Sequence, residues 1–183
     1  VKGFEGASVR EIARTAEVNI AAVNYHFSSK EKLFHHVMDM MFEESERAIT
    51  EHRSAHPNES VADLTVWIFH YFNQRSDVLR SVFKMLLSEK GWDEEMVCGP
   101  DSGNVGPPGG QTLASAILAH IQKDVSEQDM FWAVKMIFSN LVHTSLIYSN
   151  HFCKLPKQQV PYHDLKTLEA DIRRLVAVIM RDL

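Results

Sequence analysis

Apolar residues recur at spacings of three and four along most of the chain, and the residues that interrupt helices are gathered in one place. The segment Lys90–Gly110 carries Gly91, Gly99, Pro100, Gly103, Gly106, Pro107, Pro108, Gly109 and Gly110, and reads as a loop. Smaller breaks fall at His56–Glu59, around Pro57, and at Lys154–His163, which holds Pro156 and Pro161. A period near 3.6 between such breaks belongs to helices that bury one face, whereas strands would alternate. The expected fold is all-α.

Helices are predicted over Val9–Ala16, Ile20–Phe27, Lys30–His52, Val61–Asn73, Val78–Glu89, Gln111–Lys123, Glu127–Asn150 and Leu165–Leu183. In Lys30–His52, Leu33, Phe34, Val37, Met38, Met41, Phe42, Ala48 and Ile49 share one face and Asp39, Glu43, Glu46 and Arg47 the other. Ser8-Val9-Arg10-Glu11 and Ser28-Ser29-Lys30-Glu31 match the capping box, in which Ser accepts from an early backbone N–H and Glu reaches back. Ser60–Asp63 and Ser126–Asp129 are weaker versions.

The last two helices carry long seams. Phe131, Val134, Phe138, Leu141, Ser145 and Tyr148 form one; Leu165, Leu168, Ile172, Leu175 and Ile179 form the other, widened by Val176, Met180 and Leu183. Such seams can pack inside the chain or face a second subunit. Dimerisation through Phe138, Leu141, Tyr148, Leu168, Ile172, Leu175 and Ile179 is the favoured expectation, with intramolecular core as the alternative.

The 183 residues carry a formal net charge of -5, so any nucleic-acid function has to reside in one local segment. Residues 1–35 hold five Lys/Arg against four Asp/Glu, net +1, and the remainder is net -6. Few cationic contacts imply a modest salt dependence of any DNA binding. Cys98 and Cys153 form no CxxC, and a reducing cytoplasm is the plain expectation. No apolar run approaches the roughly 20 residues of a spanning helix, and no membrane partner is expected. No cofactor is implied. His52 with His56, and adjacent His35 and His36, lack a completing ligand set for a metal. There is no GxSxG or phosphate loop, and His151 near Cys153 makes a poor thiol site, so an enzyme is not expected.

Ser8–Phe34 is the informative stretch. Two short helices meet at Glu17-Val18-Asn19, with Ile12, Ala13, Ala16, Val18 and Val23 spaced to bury the angle between them. Asn19 is a good N-cap, which leaves the first turn of the second helix to meet phosphates or base edges. This is a helix-turn-helix, whose second helix enters the DNA major groove.

Val9-Arg10-Glu11-Ile12-Ala13, Ala16-Glu17-Val18-Asn19, Tyr25-His26-Phe27 and Ser29-Lys30-Glu31-Lys32-Leu33 resemble the DNA-binding region of TetR-family transcriptional regulators. Gly3–Ser8 is similar to the link entering that family's second helix. The resemblance covers about the first 35 residues, and it implies a DNA-binding domain over 1–35 and a helical effector-binding and dimerisation domain over 36–183. The family's first helix is largely absent from this chain, which begins at Val1. Phe4, Ile12 and Phe27 are the residues it would pack against. Glu17 stands where the family usually has Gly, and a left-handed turn there costs roughly 1 kcal/mol.

Carried over by position, Ser8 and Lys30 resemble phosphate contacts at helix N-termini, and Tyr25, with His26 beside it, resembles the aromatic that reaches a phosphate. Asn19, Ile20, Ala21, Ala22 and Asn24 occupy the start of the recognition helix, where alanine can meet a thymine methyl and asparagine an adenine. For Phe27 a core role is the better reading. The resemblance further implies a homodimer on a palindromic operator, repressing until a small hydrophobic or aromatic effector binds. Trp67, Tyr71, Phe83, Met136 and His143 are the candidate effector contacts, among residues expected to line a bundle interior. The alternative is control by a protein partner or a metal; Trp92 in the Gly/Pro-rich loop is one possible contact, although a flexible connection is favoured there.

Overall fold

The computed structural model describes residues 6–86, 107–121, 123–148 and 164–183. Phe4, Trp92, Cys98, His151, Cys153, most of the Gly/Pro-rich loop and all of the Lys154–His163 break lie outside them, as do the side chains of Val82, Met85 and Leu86. Among the described residues every regular element is an α-helix: α1 Val9–Thr15, α2 Ile20–Phe27, α3 Lys30–Ala55, α4 Val61–Gln74, α5 Ser76–Leu86, α6 Gly110–Ile121, α7 Glu127–Tyr148 and α8 Leu165–Asp182. The all-α expectation holds.

The caps decide where helices begin. Ser60 accepts from the Asp63 N–H at 3.0 Å while its hydroxyl donates to the Asp63 carboxylate, and Ser126 does the same with Asp129. At α3 the expected cap is off by one. Ser28 has φ +62° and closes α2, and Ser29, in extended backbone, accepts from Lys32 N–H. With two residues between the helices, the first must reverse the chain, so only the second is free to cap. α3 then runs three residues past the expected end, to Ala55, and stops before Pro57.

α4 is the centre of the bundle. It packs against α5, α6, α7 and α8, and accordingly Val61, Leu64, Thr65, Val66, Ile68, Phe69 and Tyr71 are all buried. A helix apolar nearly all round is one surrounded by others. Thr65 is satisfied in this setting by donating to the Val61 carbonyl at 2.6 Å. Facing it, α7 buries Met130, Ala133, Val134, Ile137, Phe138, Leu141 and Ser145, and α8 buries Leu168, Ile172, Val176 and Ile179.

This corrects the dimer assignment. Phe138, Leu141, Leu168, Ile172 and Ile179 are each at most 3 % exposed within the single chain, and Tyr148 and Leu175 pack against the same core. Each fully buried aliphatic contributes roughly 1.5–3 kcal/mol to folding, and none presents a surface to a partner. The seams are intramolecular because both helices pack against α4 and against each other. Phe131, placed on the α7 seam by spacing, is instead 51 % exposed, since the buried stripe begins at Met130. Val37 and Phe42 of α3 are likewise exposed, at 43 % and 40 %.

α7 is, by length and a mean hydropathy of 1.2, apolar enough to cross a membrane, contrary to the reading of short apolar runs alone. Its apolar character is accounted for by packing against α4, α5, α6 and α8. Polar ties fasten the outside of the bundle: Arg173 to Asp63 at 2.5 Å, His70 to Glu169 at 2.9 Å and Arg75 to Glu44 at 3.1 Å.

Candidate nucleic-acid interface

The amino-terminal unit is built from three helix starts, each capped by its own side chain. Ser8 accepts from Glu11 N–H at 3.2 Å and Glu11 returns to Ser8 N–H at 3.1 Å, the complete capping box. α1 ends as Ala16 N–H donates to Ile12 and Val18 N–H to Ala13, at 2.9 and 3.0 Å. Glu17 bridges the turn at φ +55°. This is the left-handed conformation that makes glycine usual at such a position. Asn19 then opens α2, its Oδ1 accepting from Ala21 N–H at 2.8 Å. The side-chain carbonyl of Asn19 is therefore occupied locally, and the residue fixes the start of α2.

α1 packs on α2 and α2 on α3. The angle between α1 and α2 is closed by fewer residues than expected. Ala13 and Val23 are buried, at 3 % and 8 %, and Ile12 is half-buried. Ala16 is exposed and Val18 is 49 % exposed, because both lie past the last turn of α1. Phe27 is half-buried, its ring 5.6 Å from that of His36 on α3.

With Val23 anchoring one side of α2, the other side is open. Ile20, Ala21, Ala22, Asn24, Tyr25 and His26 are all exposed, and Tyr25 reaches 84 %, with the edge of His26 against its ring. A tyrosine that exposed contributes little to folding and has its hydroxyl available for hydrogen bonding. Ser8 is exposed at the start of α1, and Lys30, half-buried, begins α3. The unit thus brings together all nine sequence-predicted DNA contacts on α1, α2 and the start of α3. Arg10, Arg14 and Lys32, not assigned a contact from sequence, are also exposed here. The charge tally already contained them; their exposure is what the sequence could not supply. An open hollow of about 500 Å³ lies beside α1, lined by Ala7, Glu11, Ile12, Arg14, Thr15 and Ala16.

The candidate effector residues are not gathered in the same way. Trp67 stacks on Tyr71, with centroids 5.5 Å apart, and on His52 at 3.9 Å. Tyr71 is buried, with Arg75 lying 4.0 Å over its ring and its hydroxyl without a hydrogen-bond partner. Phe83 is half-buried. Met136, expected in the interior, is 40 % exposed, since it sits on the face of α7 opposite Val134 and Leu141. His143 is exposed and edges a cavity of about 10 Å³ with Thr144, Ile147, Tyr148 and Leu168, space for about one water. Among the described residues no cluster of His, Cys, Asp or Glu is arranged to hold a metal ion.

Comparison with known proteins matches residues 1–37 to the family of bacterial regulatory proteins described as the tetR family. A probable HTH-type transcriptional regulator, YttP, of Bacillus subtilis (strain 168) is 32 % identical over 87 residues, which cover 45 % of this chain and 42 % of that protein. The match therefore spans less than half the length of this relative. No solved structure matches the chain significantly. The amino-terminal helix-turn-helix of this chain is thus similar to that of the tetR family of bacterial regulatory proteins.

Proposed function

We propose that the chain is a DNA-binding transcriptional regulator that acts as a homodimer on a palindromic operator. Residues 1–35 are the DNA-binding domain and residues 36–183 the effector-binding and dimerisation domain. The observation that carries this reading is the open face of α2, where Ile20, Ala21, Ala22, Asn24 and Tyr25 lie exposed beside the capped starts of α1 and α3. In the duplex, α2 lies in the major groove, with the alanines against thymine methyls and Asn24 on a base edge. Ser8, Tyr25, His26 and Lys30 hold the backbone phosphates, and Asn19 sets the register. Since Tyr25 and Asn24 are exposed, Tyr25→Ala and Asn24→Ala should leave thermal unfolding unchanged and each weaken binding to an operator duplex by about tenfold or more. Unchanged affinity in both variants contradicts the reading.

The exposed apolar residues of α7, Phe131, Trp132 and Met136, with Val178 of α8, are the face assigned to the second subunit in place of the buried seams. The regulator is a repressor released by a small aromatic or hydrophobic effector. Trp67 and the unpartnered hydroxyl of buried Tyr71 supply the aromatic wall and the polar group that such a ligand would meet. The small size of the cavity beside His143 favours a second reading, control by a protein partner. Release of the operator complex by apolar compounds, and its loss in Tyr71→Phe, supports the first; indifference to every ligand shown to bind supports the second.

A further inference from the structure

We propose that Glu46 and Gly109 form the fulcrum that sets the angle of α3, and are therefore positioning residues for operator spacing. This rests on the DNA-binding reading above. α3 is fastened to the bundle along its carboxy-terminal half, Glu44 pairing with Arg75 and His52 stacking on Trp67, and between these Glu46, Ile49 and Thr50, one turn of helix, form a further patch. Opposite stands the start of α6. Gly109 precedes its first residue, and its carbonyl accepts from Leu113 N–H at 2.9 Å. The Gly109 N–H donates to the Glu46 carboxylate, which thereby sits at the positive end of α6. Four residues along α3, Thr50 meets Thr112 at 3.0 Å.

Gly109 permits no other residue in this arrangement. Its φ is +85°, and a Cβ there would overlap Ile49 Cδ1 and stand 3.1 Å from Ile49 Cγ2. Ile49 is fully buried, so it has no free space into which to turn. Separation of α3 from the start of α6 relieves the overlap and tilts α3. Lys30 lies 19 residues before Ile49, about 28 Å along the helix. A rotation of about 5° at Ile49 then displaces the α2–α3 end by about 2.5 Å, enough to change the separation of paired recognition helices. Carboxylate, glycine and isoleucine together thus convert a contact in the bundle into a distance on DNA.

The test measures affinity of the full-length protein for a set of duplexes carrying the same half-sites with the spacer lengthened or shortened one base pair at a time. Wild type should favour one spacer. Gly109→Ala should change the favoured spacer or flatten the ranking, and Glu46→Ala should do the same while lowering affinity for the wild-type spacer by about 3- to 30-fold. Glu46→Gln, which keeps an acceptor for Gly109 N–H, should restore the wild-type ranking. A merely destabilised protein would lose active fraction equally on every spacer. If Gly109→Ala fails to fold, Glu46→Ala, which adds no atoms, carries the test. Folded variants that keep the wild-type ranking overturn the proposal, whereas a wild type that binds no duplex overturns the DNA-binding reading beneath it.

Discussion

Glu17 holds the turn between α1 and α2 at φ +55° with a side chain that has no need to be there. It is exposed. The left-handed backbone costs a non-glycine residue roughly 1–2 kcal/mol, and glycine returns part of that through unfolded-state entropy. Glu17→Gly should therefore stabilise the unit by about 0.5–1 kcal/mol, read as a higher denaturant midpoint; a lower midpoint would show the turn is not strained. Asp63 presents the opposite case of a local contact that helps. The Ser60 hydroxyl, then Arg173, hold its carboxyl below its ordinary 3.8, outweighing the effect of burial. A lowered folded value means stability present above 3.8 and lost as pH falls through the lowered value. The group is half-exposed, so the effect is small. Denaturation at neutral and strongly acidic pH should show Asp63→Asn losing less stability on acidification than wild type; an identical loss removes Asp63 from the account. At this scale the sequence was informative wherever chemistry is local. Ser8, Ser60 and Ser126 reach only three residues ahead, so their caps were legible, and so was the Glu17 turn. Ser28 was misread because choosing between adjacent serines depends on which one must reverse the chain.

α7 shows what a helix pattern can and cannot tell. Its spacing located a seam, and the structure buries that seam against α4, but the same helix carries Phe131, Trp132 and Met136 outward. Periodicity ranks faces by apolarity without saying which neighbour covers them. That is why Phe138, Leu141, Leu168, Ile172 and Ile179 read as a subunit surface and proved to be core. Helix number and extent were recovered closely, since Gly, Pro and capping residues mark ends in one dimension. The effector wall was not, because bringing Trp67 against His52 and leaving Met136 outside depends on how α3, α4 and α7 pack. The assignment of the subunit face has a direct consequence. Trp132→Glu places a charge on an exposed position, so the chain should stay folded but sediment as a single subunit. A dimer that survives Trp132→Glu and Phe131→Glu together means that another face makes the pair.

For the whole molecule, the proposed function rests on one geometry: two copies of α2 presented at a fixed distance by two copies of α3. The charge distribution, net +1 in the first 35 residues and net -6 in the rest, has the sign that the proposed DNA-binding end requires. With exposed Arg10, Arg14 and Lys32 and half-buried Lys30 as the cations of the described unit, the proposed complex would have few phosphate contacts and draw a large share of its affinity from sequence-dependent ones. The most direct measurement is selection of bound duplexes from a random pool by the full-length protein. The account predicts an enriched palindrome whose half-sites lie about one helical turn apart, near 34 Å. A protein that remains a single subunit and enriches no sequence over random duplex would contradict it.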